Sequence, residues 1–133
     1  MGKQKIIIIE DDEILSKVLC TELGDAGFTV LPAFDGEAGL KMVRSEKPDL
    51  VLLDLILPKK HGLEVLEEIK KNLDTRDIPV IILTLLGEDE TIKKGLRLGA
   101  EDYLVKSSHA LAEIVEKVKN FFAEGKHLKS QTL

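Results

Sequence analysis

Leu50-Val51-Leu52-Leu53 is an unbroken apolar run that ends abruptly at Asp54. It has no polar alternation, so neither face of such a strand meets water. That is the mark of a strand in a parallel sheet covered on both sides. Two other stretches read the same way, Lys5 to Ile9 and Val80 to Leu83. Phe28 to Leu31 and Asp102 to Val105 are weaker candidates for a second and a fifth strand. Between the runs lie apolar residues at helical spacing. Ile14, Val18 and Leu19 precede Gly24 and Gly27, and Ala38, Leu40, Met42 and Val43 follow Asp35-Gly36 and stop before Pro48. Leu63, Leu66 and Ile69 form a third stripe, Ile92, Leu96 and Leu98 a fourth that stops at Gly99. Leu111, Ile114, Val115, Val118, Phe121 and Phe122 form the fifth, with Gly125 as its stop signal.

Strand and helix therefore alternate five times. Alternation at this spacing predicts an α/β fold: a doubly wound parallel sheet of five strands, joined by right-handed crossovers through five helices. A ligand site in such a sheet lies at the carboxyl ends of the strands. The residues at those ends are Glu10, Asp11 and Asp12 after the first strand, Asp54 after the third, Thr84 after the fourth and Lys106 after the fifth. One sheet edge thus collects carboxylates, a hydroxyl and an ammonium. Crowded carboxylates call for a hard divalent cation with oxygen ligands, and Mg2+ suits a site that also takes a phosphate. A carboxylate can act as a nucleophile toward phosphorus. Lysine and threonine can then bind the phosphoryl oxygens.

Bulk properties narrow the class. A chain of 133 residues is one domain's worth, and residues 1–125 read as that domain, with 126–133 as a polar tail. Net charge is −5, which gives no electrostatic case for direct nucleic-acid binding. Cys20 is the single cysteine, so no internal disulfide can form. The apolar runs are far shorter than the ~20 residues of a membrane span. Together these features set the expectation of a cytoplasmic protein without a membrane role. His61, His109 and His127 lack metal-ligand spacing and read as surface residues. Lys93, Lys94 and Arg97 read as a solvated basic face of the fourth helix. Asp11 or Asp12 could also serve simply as a cap for the first helix.

Four segments in order resemble the receiver domains of response regulators, over about residues 4 to 124. They are Ile6 to Asp12, Leu50 to Pro58 followed by Gly62, Ile78 to Thr84, and Gly99 to Lys106. The resemblance implies a flavodoxin-like fold and a two-component phosphoacceptor switch that needs Mg2+ or Mn2+. It implies Asp54 as the phosphoacceptor, with Asp11, Asp54 and the Ile56 carbonyl on the metal and Glu10 contacting it through water. It implies that Thr84 and Lys106 bind the phosphoryl group and that Tyr103 swings inward when Thr84 moves. The implied donor is a histidine kinase or phosphotransfer protein. The implied target is an unidentified downstream protein or output domain, met through the face of the fourth helix, fifth strand and fifth helix.

Such a protein is not an enzyme beyond weak self-phosphorylation and self-dephosphorylation. An aspartate-nucleophile phosphatase would place an acid two residues past Asp54, where Ile56 stands. A phosphate-independent adaptor would not need Asp11, Asp54, Thr84 and Lys106 together. Two positions depart from the family's usual pattern. Ser107 replaces a cis proline after Lys106, and a non-proline cis bond costs ~3 kcal/mol, which favours a differently shaped loop. Leu85 replaces a small residue after Thr84. Apolar Ile56 and Leu86 cannot orient water, so the expectation is slow loss of phosphate and slow loading from small donors.

Overall fold

The computed structural model describes residues 3–84, 89–106 and 111–124. Its elements alternate throughout: β1 (Lys5–Ile9), α1 (Glu13–Asp25), β2 (Thr29–Ala33), α2 (Gly36–Glu46), β3 (Leu50–Asp54), α3 (Gly62–Lys71), β4 (Val80–Thr84), α4 (Asp89–Arg97), β5 (Asp102–Val105) and α5 (Leu111–Ala123). The strands form one sheet in the order β2-β1-β3-β4-β5, and every pairing is parallel. The chain steps from β1 outward to β2, then returns across β1 to β3 and proceeds the other way. That reversal sets β1 beside β3, with Ile9 opposite Leu53. The residues that follow, Glu10 and Asp54, are neighbours for this reason.

The apolar runs are buried on both faces because successive side chains point to opposite sides. Ile7, Ile9, Val51, Leu53, Val80 and Ile82 pack with Leu40 and Val43 of α2 and Val65, Leu66 and Ile69 of α3. Ile6, Ile8, Leu50, Leu52, Ile81 and Leu83 pack with Leu19 and Leu23 of α1 and Ile114, Val118 and Phe121 of α5. Two of the helices begin at aspartate caps. Asp12 accepts the N–H groups of Ile14 and Leu15, and Asp35 accepts that of Ala38.

Several expectations change. The second strand starts at Thr29 and runs to Ala33. Phe28 instead packs against Phe122, with ring centroids 5.2 Å apart, and Pro32 is accommodated because β2 is an edge strand. On α1 the buried stripe is Ser16, Leu19 and Leu23, while Ile14 is 79% exposed and Val18 is also on the surface. On α2, Ala38 is exposed while Gly36 and Gly39 turn inward. On α4, Ile92 is buried but Leu96 is exposed. Gly95 takes the inner position, where a Cβ would run into Ile82. Gly125 and the stretch 126–133 lie outside the described residues, as do Leu85, Leu86, Ser107, His109 and His127.

Candidate functional site

Glu10 follows β1 directly and is only 1% exposed. Its backbone N–H donates to the Ala33 carbonyl at 3.0 Å, which fixes the turn out of the strand. Both carboxylate oxygens are engaged: Oε1 accepts from Lys106 Nζ at 2.7 Å and Oε2 from the Asp12 N–H at 3.0 Å. Asp54, the last residue of β3, is 5% exposed. Its Oδ2 accepts from Lys106 Nζ at 3.3 Å and its Oδ1 from the Ile56 N–H at 3.3 Å. One ammonium therefore serves two buried carboxylates.

Burial pushes the Glu10 carboxyl above its ordinary range; the bonds from Lys106 and Asp12 oppose this, and the charge of Asp54 adds to it. Burial by itself would lower Lys106, but the hydrogen bond it donates to Glu10 and the charge of Asp54 outweigh it. The net shift of Lys106 is upward.

The acidic triple after β1 divides its labour. Glu10 turns inward, Asp12 caps α1, and Asp11 is exposed at the rim. One oxygen from each of Glu10, Asp11 and Asp54 can lie within 4.8 Å of the others. Three hard oxygen donors at that spacing fit Mg2+ or Mn2+. The cleft above them measures about 400 Å³, and its far wall is apolar, made by Leu15, Leu111 and Ile114. None of those three was legible as part of a site: Leu111 and Ile114 read as members of the fifth helical stripe, and nothing in the sequence singled out Leu15. Ile56 stands at the cleft's edge with its side chain 64% exposed.

Thr84 ends β4 at 6% exposure, opposite Val105, and its carbonyl accepts the Lys106 N–H at 2.6 Å. Tyr103 sits on β5 opposite Ile82 and is 39% exposed. His61 serves the fold: its Nδ1 accepts the Leu63 N–H at 3.2 Å and caps α3. Lys93, Lys94 and Arg97 are exposed, as expected. Cys20 is half-buried, and burial pushes its thiol up.

Among the described residues no helix is long and apolar enough to cross a membrane. Residues 6–119 match the pattern of the response regulator receiver domain. The probable transcriptional regulator ycf27 of Guillardia theta is 42% identical over 104 residues, which is 78% of this chain and 40% of that relative. The chain spans half or less of the length of such curated relatives. Among solved structures, the Mn(2+)-bound form of response regulator Rcp1 aligns with a TM-score of 0.79 at 31% identity, over 90% of this chain and 94% of that one. The phosphorylated cyanobacterial phytochrome response regulator RcpA aligns with a TM-score of 0.81, also at 31% identity and with the same coverage.

Proposed function

The chain belongs to the response regulator receiver family of two-component signalling, and on that premise we propose that Asp54 is its phosphoacceptor. The observation that carries the reading is the shared ammonium: Lys106 bridges Glu10 and Asp54 at the point where β1 and β3 lie side by side. In the reaction an Asp54 carboxylate oxygen attacks phosphorus, and the donor's leaving nitrogen departs with the electron pair of the broken bond. Lys106 pairs with a phosphoryl oxygen once the charge arrives, and the Thr84 hydroxyl donates to another. Glu10, Asp11 and Asp54 would hold Mg2+ or Mn2+ together with the Ile56 carbonyl. When bound, the cation offsets the negative charge of the phosphoryl group.

Inward movement of Thr84 opens room for Tyr103, whose exposed ring makes it the reporter of the switched state. The donor is a histidine kinase or phosphotransfer protein in the cytoplasm. The recipient of the signal is a downstream protein or output domain that meets the face of α4, β5 and α5. Turnover by the chain itself is weak. A phosphatase reading would require an acid where the exposed, apolar Ile56 side chain stands.

Beryllofluoride with Mg2+ mimics an acyl phosphate and tests the assignment. We expect it to shift the amide resonances of Thr84 and Tyr103 in the wild type and to leave Asp54→Asn unchanged. An Asp54→Asn variant that still accepts phosphate from a donor to the wild-type extent would overturn the assignment.

A further inference from the structure

The loop from β3 to α3 is fastened at both ends. At its root the Gly62 N–H donates to the Leu55 carbonyl at 2.9 Å, and a Cβ on Gly62 would run into the Asp54 carbonyl. At its tip the Pro58 carbonyl accepts two N–H groups, from Gly36 at 3.1 Å and from Lys60 at 2.7 Å. Gly36 lies so close to the Lys60 carbonyl that a side chain there would not fit. Between Pro58 and Lys60, Lys59 holds φ at 68°, a left-handed value that a residue with a Cβ adopts only at a cost. Such strain persists where surrounding contacts over-determine the backbone, and it gathers near functional sites.

The fastening at the tip is ionic as well as steric. Lys60 Nζ donates to Glu68 Oε2 at 2.6 Å, while Glu68 Oε1 accepts from Arg44 at 3.3 Å. Lys59 Nζ lies 3.7 Å from Asp35 Oδ2, at the start of α2. Glu68 thus holds the loop with one oxygen and α2 with the other. Within the loop, the Ile56 N–H bonds Asp54 Oδ1 at 3.3 Å. Drift of the loop would loosen that bond and let the carboxylate turn.

We propose that Lys60, Glu68 and Arg44 form a clamp that positions the loop after Asp54, which makes them positioning residues for the reaction there. The second half of this statement rests on the reading of Asp54 as phosphoacceptor; the clamp itself does not. The test uses the whole chain as wild type, Lys60→Met, Lys60→Arg and Glu68→Gln. Without metal, amide hydrogen exchange at Gly36, Ile56 and Gly62 should be about three- to fivefold faster in Lys60→Met and Glu68→Gln, the scale of one lost ion pair. Lys60→Arg should restore the wild-type rates. The Mg2+ dissociation constant, read by calorimetry, should rise by a similar factor in the same two variants and recover in Lys60→Arg. Equal exchange in all four proteins overturns the clamp. Faster exchange with an unchanged Mg2+ constant overturns its positioning role. A wild type that takes up no Mg2+ counts against the metal site itself, and the exchange rates still decide the clamp.

Discussion

Within β1, β3 and β4, the side chains of Ile6 to Ile9, Leu50 to Leu53 and Val80 to Leu83 are shut away from water, and all of them are apolar. One step beyond each run stand Glu10, Asp54 and Thr84, almost as deeply buried and all polar. The interior positions gain free energy by leaving water, and the edge positions lose it unless they find partners. Equal burial therefore has opposite meanings a few ångströms apart. At the edge the two carboxylates are compensated by one ammonium, that of Lys106, and it is shared.

The largest test of this contrast pairs one change from each region. Lys106→Met leaves two buried carboxylates without a counter-charge among the described residues and should cost about 3 kcal/mol in metal-free denaturant unfolding. Leu52→Ala should cost a similar amount, about 2–5 kcal/mol, through a cavity. Saturating Mg2+ should recover much of the first loss and none of the excess cost of the second. Recovery in both variants, or in neither, would break the distinction between edge and interior.

A smaller effect should appear at the rim. Asp11 is exposed and makes no cap, so Asp11→Ala should weaken Mg2+ binding by roughly tenfold. The same change removes a repelling charge and should slightly raise the metal-free melting temperature. An unchanged Mg2+ titration would remove Asp11 from the proposed metal site, and a lower melting temperature would count against the repulsion alone.

The smallest effect is a dependence on pH. The folded chain raises both Glu10 and Lys106, so it binds each proton more readily than the unfolded chain does. Each contribution is complete below the group's ordinary range and is lost as pH rises through the raised value. For Glu10 that loss begins above about pH 4.5, its ordinary value, whereas for Lys106 it begins only above about 10.5. Subtracting the stability curve of Glu10→Gln from that of the wild type should leave a decline just above pH 4.5. A flat difference would mean that Glu10 is no harder to ionise in the fold than out of it.

The strands, the layer order and the meeting of Glu10 with Asp54 were legible in the sequence, because unalternating apolar runs and strict alternation of elements carry them. The rotation of α1 was not. Ile14 and Val18 promised a buried stripe, yet Ser16, Leu19 and Leu23 face inward instead. Periodicity also says nothing of which acid caps and which stays free; only the resemblance singled out Asp11, and the structure gives the cap to Asp12. Glu68, Lys60 and Arg44 were silent for the same reason: charges on two helices and a loop meet through packing, not through spacing along the chain.

Glu10 and Lys106 stand 96 positions apart and are joined at 2.7 Å. A ribosome releases the acids early and their cation late. A nascent chain that has emerged as far as Thr84 carries Glu10, Asp11 and Asp54 but not the ammonium that lets them lie together. Only when β5 joins the sheet edge does that charge arrive. The pairing of Glu10 and Asp54 with one ammonium is then a property only of a chain made at least as far as Lys106.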